Sequence, residues 1–205
     1  KTMASEVIVE RMDRDYDLRE FVGSIFVAFS LIPWFSFNTN ELDSQPWPIL
    51  FGVIFLFSLV PSLRIPKTVG IFSFCLTAGF LFSILATETV LSVLTLRAAV
   101  GYLSLPIFYI AFYNYLIKYG FPFRLVVFVN LIWLIVAFVE LVDPDIVGAI
   151  SKQRTTADRG VTSLAPEPTF FAIYLFFSSW LLIVATNYRP NLYYSAVVTI
   201  NLIAI

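Results

Sequence analysis

The stretch GVTSLAPEPTFFAIYLFF, residues 160–177, passes from a polar loop into a strongly apolar run. Two prolines and one acid, Glu167, stand at the entrance to this run, and the segment KQRTTADR (152–159) lies just before it. The run continues to Thr186, which gives close to the ~20 apolar residues that a helix needs to cross the hydrocarbon core of a bilayer. The stretch therefore predicts a membrane helix with charged residues at its mouth.

The composition of the whole chain also indicates a membrane protein. Hydrophobic residues make up 59% of the 205 residues and charged residues 13%, whereas soluble domains carry roughly 45–50% and about 25%. The net charge of −1 predicts no nucleic-acid partner. The sequence has no histidine and one cysteine, Cys75, which excludes a histidine base, a histidine metal ligand and an internal disulfide here. We predict an all-α, polytopic transmembrane helical bundle.

Hydrophobic runs predict six complete membrane spans and the start of a seventh near Asn191. The six are Phe21–Phe37, Trp47–Leu63, Thr68–Thr87, Val90–Ile117, Leu125–Leu141 and Pro168–Thr186. Prolines 33, 61 and 106 lie within spans and predict kinks there. The sequence stops inside the last apolar run, which predicts that it is the N-terminal part of a longer protein.

The positions of lysine and arginine predict the orientation of the spans. If the spans alternate from a cytoplasmic N-terminus, nine of the thirteen cations lie inside: Lys1, Arg11, Arg14, Arg19, Arg64, Lys67, Lys118, Arg124 and Arg189. Segment 1–20 is then cytoplasmic, 21–141 holds spans one to five, 142–167 is an outer loop, and 168–205 holds span six and the start of span seven. This distribution follows the positive-inside rule except in that outer loop.

The outer loop has two parts with different predicted roles. Its first part, VDPDIVGAISKQ, predicts a short helix in which Asp143 is the cap, Pro144 is the first residue, and Ile146, Val147 and Ile150 share one face. Its second part carries the three exceptional cations, Lys152, Arg154 and Arg159. Such a cluster suits a phosphate or pyrophosphate, because arginine stays charged and binds these groups in bidentate fashion. A solvated loop is the alternative, since long outer loops tolerate basic residues.

Two further ionisable residues are candidates for the same site. Arg97 lies within the fourth predicted span, about 10 Å from its outer end, and an intramembrane charge must face a partner or a wet cavity. Its other possible role is a structural ion pair with Glu88 or Glu140. Glu167 is either a favourable charge at a helix N-terminus, a general base for an attacking hydroxyl, or a group that orients the cations.

The segment RGVTSLAPEPTFFAIYLFF (159–177) resembles the arginine-to-"EP" segment of the O-antigen and exopolysaccharide polymerases, the Wzy-like membrane proteins related to O-antigen ligases. The close match covers under twenty residues, and the order of short spans before a larger outer loop covers most of the chain. The resemblance implies a GT-C-type glycosyltransferase in the bacterial cytoplasmic (inner) membrane. Its substrate would be a polyprenyl-pyrophosphate-linked oligosaccharide, such as an undecaprenyl pyrophosphate species, and a chain-length regulator is a possible partner in such systems.

The resemblance also implies roles for particular residues. Arg159, and less directly Arg154, would bind the pyrophosphate, and Glu167 occupies the family's acidic position before proline. Arg97 and Lys152 are added from topology and charge alone. Neither a cofactor nor a metal is expected, because pyrophosphate is already a good leaving group and positioned cations can neutralise its developing charge.

Other functions fit parts of this pattern. Glu41 to Asp43 in the first outer loop could bind a divalent cation in a metal-dependent transferase, although three residues are a weak signal. An O-antigen ligase would share the span pattern, and a lipid-linked oligosaccharide transporter or flippase would use the same arginines for an anionic head group. A structural membrane subunit would explain the spans but not the basic outer loop.

Overall fold

The computed structural model describes residues 18–34, 46–86, 93–148, 160–186 and 192–204, and within these ranges every regular element is a helix. The first helix, α1, covers residues 18–31. The others are α2 (Trp47–Ser58), α3 (Lys67–Ala86), α4 (Val93–Tyr119), α5 (Phe123–Val142), α6 (Pro144–Gly148), α7 (Pro168–Ala185) and α8 (Leu192–Ala204). A 3₁₀ turn, Val60–Ser62, lies between α2 and α3. The predicted all-α class is confirmed.

Four of these helices are long and apolar enough to cross a membrane. The four stretches are Lys67–Leu85, Ala99–Tyr119, Phe123–Val142 and Pro168–Ala185. Only 6% of the Lys67–Leu85 stretch is buried inside the protein, so its apolar side chains face outward on nearly all sides. Such a surface is stable in lipid and not in water. The four helices indicate a multi-pass membrane protein.

The first predicted span was wrong at its C-terminal end. The helix ends at residue 31, and Pro33 and Trp34 form a turn instead of the middle of a span. Proline lacks the backbone N–H that a helix interior needs, and it disfavours the helical conformation of the residue before it. Pro33 therefore ends α1, and residues 35–37 of the predicted span lie outside the described residues.

The second predicted span, Trp47–Leu63, was also wrong. α2 ends at Ser58, and Pro61 lies in the following 3₁₀ turn, in which the Ser62 N–H donates to the Leu59 carbonyl at 2.7 Å. The twelve residues of α2 extend about 18 Å, which is less than the ~30 Å of a bilayer core. Pro61 breaks the helical run here, whereas Pro106 lies inside α4 without ending it.

The remaining helices match their predicted ranges closely. α3, α5 and α7 begin and end within two residues of the predictions, and α4 is shifted by two to three residues toward the C-terminus. α6 begins at Pro144 as predicted, and Asp143 caps it, since its Oδ1 accepts the Asp145 N–H at 3.1 Å. Of the residues predicted to share one face, Val147 is fully buried and Ile146 is 49% exposed. Ile150 lies outside the described residues.

The chain divides into two compact units. Unit 1 comprises Lys1–Val27 with Pro48–Gly120, and unit 2 comprises Ala28–Trp47 with Phe121–Ile205. In unit 1, α1 lies very close to α4, because a Cβ added to Gly23 would lie 2.7 Å from the Tyr115 ring. The Ser24 and Tyr115 hydroxyls lie 3.1 Å apart at the same crossing. Glycine at residue 23 thus allows a contact that a larger residue would prevent.

Unit 2 is built around Trp133 of α5, which is fully buried. Its ring stacks on Phe171 and Tyr174 of α7, with centroid distances of 5.8 and 4.4 Å. Its indole N–H donates to the Leu31 carbonyl at 3.1 Å, so the one polar atom of this side chain is satisfied. Trp133 of α5 therefore contacts both the end of α1 and the first turns of α7.

Candidate functional site

The connection that enters α7, residues 160–167, is a buried turn. Residues 162–166 are all buried, and the Ala165 N–H donates to the Thr162 carbonyl at 3.0 Å. Gly160 has a φ of 105° and Ser163 a φ of 54°, so the backbone turns twice through the left-handed region. That conformation is open to Gly160 but costs a residue with a side chain about 1–2 kcal/mol. The surrounding contacts must hold Ser163 in place.

The carboxylate of Glu140, near the end of α5, holds this turn. The Thr162 N–H donates to both oxygens, at 3.1 and 2.9 Å, and the Thr162 hydroxyl donates to Oε1 at 2.9 Å. The Ser163 N–H donates to Oε2 at 2.6 Å. Glu140 is 8% exposed, and a buried carboxylate is tolerated only when hydrogen-bond donors surround it. We call these three residues the Glu140 clamp.

A second contact fixes Ser163. Its hydroxyl donates to the Trp133 carbonyl at 2.7 Å, on the α5 helix that also carries Glu140. The turn thus rests on α5 through two polar contacts about two helical turns apart. Beside it, the Trp34 ring contacts Trp133 at 5.9 Å and Phe170 at 5.4 Å, measured between ring centroids. The start of α7 is therefore fixed by both hydrogen bonds and aromatic packing.

Glu167 is the N-cap residue of α7, with φ −145° and ψ 149°. Its carbonyl accepts the Phe170 N–H at 3.1 Å and the Phe171 N–H at 3.4 Å. Its side chain is half-buried and makes no capping hydrogen bond. The helix thus begins at the predicted residue without using the carboxylate, whereas an N-cap acid ordinarily bonds the first N–H groups of its helix.

The other predicted site residues, or their side chains, lie outside the described part of the chain. Lys152, Arg154 and Arg159 lie outside the described residues, as do Glu41 to Asp43 and Glu88. Arg97 lies on α4 in unit 1, and its side chain is likewise outside what is described. Their predicted roles stay predictions.

The bonds from Glu140 to the turn were not predicted from the sequence, in which this residue was a possible ion-pair partner of Arg97. Among the described residues, Thr162 and Ser163 donate to its carboxylate. The available signal was an acid at the end of an otherwise apolar helix, where an uncompensated charge is costly. The partners were not readable, because they come from a loop more than twenty residues further on.

A buried polar network was also missed. The Asn130 Nδ2 of α5 donates to the Asn201 Oδ1 of α8 at 2.8 Å, and the Asn201 Nδ2 donates back at 3.1 Å. Ser178 of α7 donates to the Asn130 Oδ1 at 2.9 Å, and Ser179 accepts from the Asn201 Nδ2 at 2.9 Å. All four residues are buried, and such amide and hydroxyl pairs join helices in a membrane. We call this group the Asn130–Asn201 network.

Comparison with known proteins found no relative of this chain. No family model matches the chain, and neither a curated protein nor a solved structure matches it. A proposal of function therefore rests on the residues and geometry of the chain itself.

Proposed function

We propose that the protein is a membrane glycosyltransferase of the GT-C type that polymerises polyprenyl-pyrophosphate-linked oligosaccharide repeat units. The reaction takes place at the outer face of the bacterial cytoplasmic membrane, with the N-terminus of the chain in the cytoplasm. The observation that carries the proposal is the fixed entrance to α7. There the Glu140 clamp holds the turn, and the Glu167 carboxylate makes no bond to its own helix.

A turn whose backbone is fixed in this way favours a substrate-binding site over a solvated loop. A flexible loop would leave its backbone N–H groups to water, whereas the Thr162 and Ser163 N–H groups are donated to a buried acid. Catalysis by positioning needs reacting groups held in place before the substrate arrives. Residues 160–167, which join the cationic cluster to α7, are held in place by these bonds next to Glu167.

In the proposed reaction, a sugar hydroxyl of the incoming lipid-linked unit attacks the anomeric carbon of the growing glycan. The bond from that carbon to the pyrophosphate oxygen breaks, and the electron pair leaves with the pyrophosphate. Glu167 accepts the hydroxyl proton as general base. Arg159 and Arg154, with Lys152, neutralise the charge that develops on the leaving group.

The test compares the surface polysaccharide and lipid-linked intermediates of cells whose own copy of the protein is replaced by Arg159→Ala or Glu167→Gln. The length ladder should collapse to single repeat units transferred to the surface, because losing one such group typically lowers rates by about 10²–10³. Arg124→Ala, at the start of α5, is the control with the same charge change, and its ladder should stay normal. Membrane abundance is matched across all variants.

Three other outcomes would overturn the proposal. Loss of every surface form with intermediates trapped inside would indicate a flippase. Loss of transfer with long lipid-linked glycan outside would indicate a ligase. A normal ladder in both variants would remove Arg159 and Glu167 from the site.

A further inference from the structure

An apolar groove of about 460 Å³ runs between α3 and α4 in unit 1. Its lining residues are Thr68, Val69, Phe72, Leu105 and Tyr109. Pockets of roughly 300–1,000 Å³ with mainly apolar walls are the usual sites for small ligands. Phe72, Leu105 and Tyr109 are each more than half exposed, so the groove opens on the outer surface of the unit, where α3 is nearly uncovered.

The two walls of the groove run antiparallel and lead to the same charged end. Phe80 contacts Tyr102 beyond one end of the groove, with 6.0 Å between ring centroids. Beyond the other end, the Arg64 N–H donates to the Asn114 Oδ1 at 2.9 Å, and the Asn114 Nδ2 donates to the Arg64 carbonyl at 2.8 Å. This pair of bonds fixes the backbone of Arg64 against α4.

Two exposed cations lie at that end. Lys67 directly precedes the lining residue Thr68 in the first turn of α3, which places its Cα about 3 Å along the axis from Val69. Arg64 lies three residues earlier, and both side chains are exposed. Lys118 stands one turn beyond Asn114 on α4, so the α4 wall also ends in a cation.

Among the described residues of unit 1, cations outnumber acids at this end. In that part of the chain Glu20 on α1 is the sole carboxylate, whereas Arg19, Arg64 and Lys67 at the starts of α1 and α3 are cations. These four residues sum to a net charge of +2. An anionic group at the mouth of the groove would therefore be attracted.

We propose that the α3–α4 groove binds an anionic phospholipid of the surrounding membrane. One acyl chain lies along the apolar walls, and the phosphate of the headgroup contacts Lys67 and Arg64. Basic pockets between membrane helices are known to bind anionic headgroups in this way. A free phosphate would not contact the apolar walls, and the headgroup of a neutral lipid would not be attracted by the two cations.

The experiment is native mass spectrometry of the purified protein with dioleoyl-phosphatidylglycerol or dioleoyl-phosphatidylcholine, which share their acyl chains. The wild type should retain phosphatidylglycerol more tightly. Arg64→Gln with Lys67→Gln should weaken this lipid about 30-fold, since each cation near an anionic headgroup contributes about 1 kcal/mol. Arg124→Gln is the control for overall charge and should change nothing. If the double variant does not fold, Lys67→Gln alone should weaken binding about fivefold.

A second pair of variants tests the groove. Leu105→Trp fills it and should weaken both lipids, whereas Leu103→Trp, on a residue that does not line the groove, should weaken neither. Equal retention of the two lipids, an equal effect of Arg124→Gln, or full binding by Leu105→Trp would each overturn the proposal. Competition by inorganic phosphate at similar concentrations would overturn the assignment to a lipid. None of these results depends on whether the protein polymerises glycans.

Discussion

At Glu140, the carboxylate replaces the water that the Thr162 and Ser163 N–H groups would otherwise bond. These donors lie in a turn, where no helix or sheet partner exists, so an acid on α5 is the nearest source of acceptors. Hydrogen bonds to a charged group contribute more than neutral ones, about 1.5–3 kcal/mol. The same bonds hold Ser163 in the left-handed conformation that it would otherwise leave.

Glu140→Gln should therefore destabilise the protein. The variant removes the negative charge that strengthens all of these bonds, and it replaces one of the two acceptor oxygens with an amide N–H₂. We expect a loss of about 2–3 kcal/mol in unfolding free energy, measured as a lower midpoint of thermal unfolding in detergent.

Two substitutions at Thr162 calibrate this effect. Thr162→Val removes only the hydroxyl bond of 2.9 Å and should cost about 1 kcal/mol. Thr162→Ser keeps that bond and should stay near wild type. If Glu140→Gln proved as stable as Thr162→Ser, the clamp would contribute nothing to the fold.

Among the helices, α5, α7 and α8 are joined by the Asn130–Asn201 network. The amide of Asn201 bonds residues on both neighbouring helices, so α8 is held by polar contacts as well as by the packing of Val197. Asn201→Leu should cost about 2 kcal/mol, because each such bond within a membrane averages about 0.6 kcal/mol and the Asn130 amide loses its partner. The measurement is thermal unfolding in detergent.

Thr199→Val is the matched change on the same helix. The Thr199 hydroxyl bonds only the Ser195 carbonyl, one turn back, so its loss should alter stability by less than about 0.5 kcal/mol. The double variant Asn130→Leu with Asn201→Leu should be hardly less stable than either single variant, because both residues belong to one network. Additive losses would mean that the two amides act independently.

The positions of the long helices could be predicted from the sequence, but the effect of each proline on the helix ends could not. Apolar runs correctly indicated α3, α4, α5 and α7, because a membrane helix needs length and hydrophobicity, and both are visible in one dimension. The effect of each proline was not visible. Pro106 is accommodated inside α4, while Pro33 and Pro61 stand at helix ends, and this difference depends on which neighbouring groups take up the freed backbone carbonyl.

The candidate site was predictable to a similar degree. Glu167 was placed correctly at the start of α7, since the proline at position 168 marks a first helical residue. The Glu140 clamp and the Asn130–Asn201 network join residues 22 to 71 positions apart. Such pairs are fixed by how helices pack, and hydropathy carries no information about them.

For the whole molecule, the number of membrane-spanning helices and the positions of lysine and arginine together predict which helix ends lie on the same side of the membrane. Successive helices that span a bilayer must cross it in alternating directions, so we expect the start of α3 and the start of α5 on one side and α6 on the other. Lys67 and Arg124 belong to the first group and, by the positive-inside rule, to the cytoplasm. The proposed reaction needs the entrance of α7, and hence α6, to face outward.

Cysteine labelling tests this arrangement. In a Cys75→Ser background, which removes the single thiol of these 205 residues, we expect a membrane-impermeant maleimide to label Asp145→Cys on intact cells. Lys67→Cys and Arg124→Cys should react only after permeabilisation, because the bilayer excludes the charged reagent. Asp145 is exposed and leaves the Asp143 cap side chain intact. Labelling of positions 67 and 124 from outside would reverse the orientation, place Glu167 on the cytoplasmic side, and rule out an outer-face polymerase.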